Sequence, residues 1–278
     1  MKTVLALLAL LPALFLHSGS VSAAPAGGQL ILHPTRVVFE GDTRSAQLEL
    51  INPSTEAATY RLRTVNRHMG ERGEMVEILE QGAGDKFADS MLVYSPRQVT
   101  LGPGASQVVR VMVRKPADLP AGEYRSHLLF ERIAGAVAGP IRVSTQPAHQ
   151  AMQIELIPLV SISIPVIVRQ GPTAAKVVIG GLSYARNART LTVLVERTGT
   201  ESVYGDVRVH FQPVGGQMIE LAAQNGVAIY TPNAKRYLAI PLPFRPGLDP
   251  TGGRIEVHFQ QRPEAGAKSL AAAYITLK

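Results

Sequence analysis

Residues 152–168, MQIELIPLVSISIPVIV, constrain the fold more than any other part of the chain. Every even position in the run is apolar: Met152, Ile154, Leu156, Pro158, Val160, Ile162, Ile164, Val166 and Val168. A period of two puts these side chains on one face of a β-strand and fits no helix. At about 3.3 Å per residue the run would extend past about 50 Å, against ~17–20 Å for an ordinary strand. One small domain cannot cover so long an oily strand, and a bare edge of this kind invites aggregation. It needs a partner, either within the same fold or on another chain.

The rest of the chain is written in the same period. Short alternating runs such as SAQLELI (45–51), ATYRLRTV (58–65), SQVVRVMVR (106–114) and EYRSHLLFERI (123–133) are bounded by Gly41-Asp42, Asn52-Pro53 and Gly102-Pro103-Gly104. These are strand and turn signals, and no sustained helical periodicity interrupts them. The segment QLILHPTRVVFE (29–40) reads as one strand with a proline break, EMVEIL (74–79) as a weaker strand, and 134–150 as a long loop. After Arg169, QGPT reads as a linker. A second set of strands follows, including TLTVLVERTG, YGDVRVHFQ and GRIEVHFQQ. The expected fold is all-β, with two immunoglobulin-like β-sandwich domains.

The first residues form a leader. Lys2 precedes an apolar run from Val4 to Leu16, and Val21 and Ala23 supply the small residues of a cleavage site. This is the pattern of a secretory signal peptide, 1–23. The run falls short of a membrane span, and Ser161 and Ser163 interrupt the only other long apolar stretch, so no span is expected after cleavage. Cleavage leaves 255 residues, divided into a first sandwich at 24–168 and a second at 169–278. The net charge is +7, with acids and bases interspersed and no basic block carrying interleaved aromatics. Nucleic acid is therefore not an expected partner.

Chemistry-bearing motifs are absent from the sequence. There is no cysteine, no G-x-S-x-G elbow, no phosphate-binding G-x-x-x-x-G-K-[ST] loop and no H-E-x-x-H. His17 lies in the leader, and the other six histidines, His33, His68, His127, His149, His210 and His258, lie outside metal-ligand spacing and read as surface or strand residues. Neither an enzyme nor a cofactor is expected. Two readings of the long strand remain. It pairs fully inside this protein while crossing between the sandwiches, or it is lent to another polypeptide by strand addition. Pro158 and Pro165 favour an edge position, because proline cannot donate to a ladder.

Three stretches resemble the amino-terminal domain of the PapD-like periplasmic chaperones of the chaperone–usher pathway: HPTRVVFEGDTRSAQLELINPS (33–54), SPRQVTLGPGASQVVRV (95–111) and LPAGEYRSHLLF (119–130). The ending SIPVIV (163–168) is similar to the archaic branch of that family. The resemblance implies a periplasmic chaperone that works without ATP and lends a strand to a secreted pilus or coat subunit lacking its own. Met152, Ile154, Leu156, Val160 and Ile162 would be the inserted side chains of this donor strand. Arg36 would hold the subunit's terminal carboxylate, its planar guanidinium matching a carboxylate bidentately. An outer-membrane usher and self-association through the apolar edge are further partners it allows. The family's second cation is a lysine on the donor strand, and no Lys or Arg lies between Val143 and Val168 here. Arg125-Ser126 stands where the family has Glu-Ser, with Glu123 upstream. The other reading is a structural or adhesive cell-envelope protein built of the same two sandwiches.

Overall fold

The computed structural model describes residues 30–133, 160–243, 250 and 252–277. The leader at 1–23, the loop at 134–150 and the donor positions Met152, Ile154 and Leu156 lie outside the described residues. Strands account for nearly all regular structure. In chain order they begin with β1 (Ile31–His33), β2 (Val37–Phe39), β3 (Ser45–Ile51), β4 (Ala58–Val65), β5 (Arg67–Met69) and β6 (Met75–Glu77). Then come β7 (Leu92–Ser95), β8 (Gln98–Leu101), β9 (Ser106–Val113), β10 (Gly122–Ile133) and β11 (Ile162–Gln170). The last seven are β12 (Ala175–Ala185), β13 (Thr190–Gly199), β14 (Val203–Pro213), β15 (Ile219–Ile229), β16 (Lys235–Pro241), β17 (Gly253–Gln260) and β18 (Ser269–Leu277). Among the described residues no helix is long and apolar enough to cross a membrane.

The strands form two sandwiches and one small hairpin. In the first sandwich, a sheet ordered β1-β3-β9-β7 faces one ordered β2-β11-β10-β4-β8. In the second, β12-β13-β16 faces β15-β14-β17-β18, and β5 pairs only with β6. The alternation seen in sequence is the alternation of burial. Leu48 and Leu50 of β3 are fully buried and alternate with exposed Gln47 and Glu49, and Val109, Val111 and Val113 of the neighbouring β9 are buried on the same face of the sheet. The second core is built the same way from Leu191, Val193 and Val195, from Val207, Val209 and Phe211, and from Ile255, Val257 and Phe259.

The segment read as one strand over 29–40 is divided between the sheets. QLILHPTRVVFE becomes β1, paired antiparallel with β3, and β2, paired parallel with β11. Pro34 sits at the switch, where it can neither donate to a ladder nor keep the strand direction. Ser95-Pro96 likewise separates β7, paired with β9, from β8, paired with β4. Of EMVEIL only Met75–Glu77 is strand, paired with β5 across a turn whose Gly73 has φ +91.

The long apolar run is strand from Ile162 onward, and its even face fills the first core. Ile164, Val166 and Val168 are buried there and Ile162 packs against them. Replacing the fully buried Leu48 with alanine is expected to lower unfolding free energy by about 3 kcal/mol. Gln47→Ala on the neighbouring exposed position should cost less than about 0.5 kcal/mol. Urea denaturation of the two variants measures the difference.

Candidate functional site

β10 explains where the two sandwiches meet. Its even residues Tyr124, Leu128 and Phe130 enter the first core, as alternation requires. Its odd residues Glu123, Arg125 and His127 are charged or polar, yet they are only 2%, 4% and 3% exposed. A polar face that should be solvated is instead covered by the second sandwich.

Glu123 is compensated from both domains. Its carboxylate accepts from the backbone N–H of Ser202 at 3.1 Å, from the Ser202 hydroxyl, and from Arg169 Nε at 3.1 Å. Arg169, at the end of β11, also pairs with Glu40 at 2.8 Å and with Glu201 at 2.9 Å. Burial alone would pull the Arg169 guanidinium down. The hydrogen bond to Glu40 and the charges of Glu123 and Glu201 hold it above its ordinary value. One arginine thus ties three carboxylates drawn from both sandwiches.

Arg125 and His127 have no carboxylate partner among the described residues. Arg125 donates from Nη2 to the Arg67 carbonyl at 2.9 Å, and its guanidinium lies 4.1 Å from the centre of the Tyr230 ring of the second sandwich. Burial lowers its pKa to about 10, with Tyr230, Glu123 and Asp85 opposing the shift. His127 meets the same ring edge-on at 6.2 Å. Burial and then the charges of Arg125, Arg67 and Arg36 push its pKa down to about 3. The imidazole is neutral near pH 7. Two further contacts span the junction: Asn233 Nδ2 donates to the Met69 carbonyl at 2.6 Å, and the Tyr237 N–H to the Glu71 carbonyl at 2.7 Å.

Arg36 lies between β1 and β2, one residue before β2 pairs with β11 in the register Val37↔Val166. It lines a cleft of about 590 Å³ between the sandwiches, together with Arg169, Glu201, Tyr204, Arg262 and Leu270. Its guanidinium is 4.8 Å from the Tyr204 ring centre and 5.4 Å from that of Tyr230, and Nη1 donates to the Tyr230 hydroxyl at 3.4 Å. Among the described residues it has no ion pair. The structure therefore sets Arg36 beside β11 and beside two tyrosines that sequence reading did not select. Tyr230 lies 194 positions away, and no local pattern marks it.

β11 itself is asymmetric. One side pairs with β10 along its whole length, from Phe130↔Ile162 to Gly122↔Gln170. The other side pairs with β2 only at Val166, Ile167 and Val168. Among the described residues no strand pairs with the outer side of 162–165. Val160, next on the same face as Ile162, is 50% exposed. No described group of three His, Asp or Glu side chains is placed to hold a metal ion.

No family profile and no curated protein matches the chain. Several solved structures are similar to it. The YadV chaperone is 11% identical with a TM-score of 0.46, over 89% of this chain and 99% of that one. The chaperone–tip adhesion subunit complex CsuC–CsuE, from archaic chaperone-usher Csu pili of Acinetobacter baumannii, is 11% identical with a TM-score of 0.42, covering 90% and 98%. The complex of SafA pilin with the SafB chaperone from Salmonella enterica is 14% identical with a TM-score of 0.43, covering 91% and 99%.

The depressed His127 pKa has a definite sign. Between pH 6.5 and about 3 the unfolded chain binds a proton that the folded chain does not, so stability falls as pH drops through that window. The expected slope from this residue is about 1.4 kcal/mol per pH unit. His127→Gln should flatten the unfolding free energy across that range, as read from urea denaturation at stepped pH.

Proposed function

We propose that this protein is an exported assembly chaperone that binds a secreted pilus or coat subunit lacking a strand, completes it by donating its own, and passes it on for assembly. In this reading residues 24–168 form the subunit-binding sandwich, the leader directs the chain to the periplasm, and an outer-membrane usher receives the subunit. The observation that carries the proposal is the half-paired β11. Its even face fills the first core from Ile162 to Val168, and the same face continues in sequence as Val160, Leu156, Ile154 and Met152. Beyond Ile162 that face serves a groove in another chain.

The energetics favour this use of the strand. Each large apolar side chain moved from water into a groove contributes about 1.5–3 kcal/mol, and the main-chain ladder fixes the register. Arg36 supports the reading independently. Among the described residues it is a cation without an acidic partner, placed in a cleft beside the strand, and it would hold the subunit's terminal carboxylate. No nucleotide-binding motif is present in the sequence. Release is therefore driven by the subunit itself, which gains stability on exchanging the lent strand for a better-fitting one.

Affinity purification from the periplasm, comparing the wild type with Leu156→Asp, tests the proposal. The wild type should retain an incomplete immunoglobulin-like subunit. The variant should lose it, because a charge in an apolar groove costs more than about 3 kcal/mol, over a hundredfold in affinity. Identical partners for both proteins, or a permanent stoichiometric complex on the cell surface, would refute the chaperone reading.

A further inference from the structure

Three arginines line the cleft, and they differ in what they already hold. Arg169 is saturated by Glu40, Glu123 and Glu201. Arg36 has no carboxylate among the described residues. Arg262, from the second sandwich, pairs through Nε with Glu264 at 2.9 Å and donates from Nη1 to the Tyr204 hydroxyl at 3.1 Å. Its Nη2 has no hydrogen bond or ion pair among the described residues. The Tyr204 ring centre is 4.8 Å from the Arg36 guanidinium and 5.7 Å from that of Arg262. One aromatic ring of the second sandwich therefore carries a cation from each domain. The cleft wall around them includes Val38, Ala265 and Leu270. Two guanidiniums over an apolar wall suit an anion attached to an apolar chain, and the planar fork of each suits a carboxylate.

We infer that Arg262 and Tyr204 complete the anion site that Arg36 begins, so that an organic carboxylate in the cleft bridges the two sandwiches. The inference rests on the reading of Arg36 as an anchor and adds a task for the second domain. Arg262 supplies the second cation, which no residue between Val143 and Val168 provides. Tyr204 is a positioning residue: it holds both guanidiniums by ring contact and Arg262 by its hydroxyl. Because the two cations sit on different domains, carboxylate binding and domain placement are coupled, and the coupling runs both ways.

The test is a titration of the full mature chain with N-acetylvalinate and, separately, with its uncharged methylamide, following the arginine side-chain 15N–1H signals by NMR. The Arg36 and Arg262 signals should move together with one Kd for the carboxylate and stay fixed for the amide. Arg262→Gln should weaken binding roughly tenfold, the loss of one charge-assisted contact, and Arg262→Lys should restore part of it. Tyr204→Phe, which keeps the ring contact but removes the hydroxyl that accepts from Arg262, should bind more weakly than the wild type, and Tyr204→Leu more weakly still. The Arg262 side chain is 32% exposed, so its substitutions leave the core intact, whereas Tyr204 packs against the buried cluster of Met69, Ile167 and Tyr230; backbone amide spectra check the fold of every variant. Movement of Arg36 alone, with Arg262→Gln binding as the wild type, would overturn the inference and leave the Arg36 anchor standing. Fixed signals at both arginines would overturn the anchor as well. Equal loss in Tyr204→Phe and Tyr204→Leu would remove the ring as the platform.

Discussion

The Glu123 carboxylate lies where water cannot reach it, and the two-sandwich arrangement depends on how it is met. An unpaired carboxylate at this depth would cost several kcal/mol. Here Arg169 meets it from β11 and Ser202 from the second sandwich, the latter through both its N–H and its hydroxyl. Pulling the sandwiches apart would strip the serine donors from Glu123 and Glu201 from Arg169. The network does not add much net stability over a hydrophobic contact of the same size. It penalises any other relative placement of the domains, which is a statement about geometry rather than strength.

That geometry decides what β11 can do. Arg169 sits at the end of the strand, so the network fixes one end of β11, and pairing with β2 fixes Val166–Val168 on the outer side. Toward Ile162, β10 is the only strand among the described residues that pairs with it. The strand is therefore anchored at the domain junction and one-sided away from it. A partner strand added at the one-sided end would extend a ladder that is already registered, so little order remains to be imposed on this chain when it binds.

Most of the architecture was legible because alternation is a local signal with a local cause. Leu48 and Leu50, or Val207, Val209 and Phe211, announce a buried face from their spacing alone. The proline break at Pro34 was legible as an interruption but not as a sheet switch, since which sheet a strand joins is set by distant pairing. The odd face of β10 was misread by any local rule. Glu123, Arg125 and His127 spell a solvated face, and only the covering second sandwich buries it. Arg36 was found through resemblance. Its neighbours Tyr204, Tyr230 and Arg262 come from strands and turns of the other domain, where nothing in the adjacent sequence distinguishes them from ordinary surface residues. The donor positions Met152, Ile154 and Leu156 stand on the sequence pattern.

The cleft chemistry also accounts for the cations left without acids. Arg36 and Arg125 both lie against Tyr230, and His127 is kept neutral beside them. Were His127 charged, it would add a cation beside the Arg125, Arg67 and Arg36 guanidiniums. Its neutrality spares the junction a further positive charge, and the Tyr230 ring face and the Arg67 carbonyl meet the Arg125 guanidinium. Arg125 is sealed in and serves the junction. Arg36 reaches the cleft and keeps its charge available there. Among the described residues, an arginine without an ion pair at a cleft and a strand with one unpaired side therefore lie next to each other.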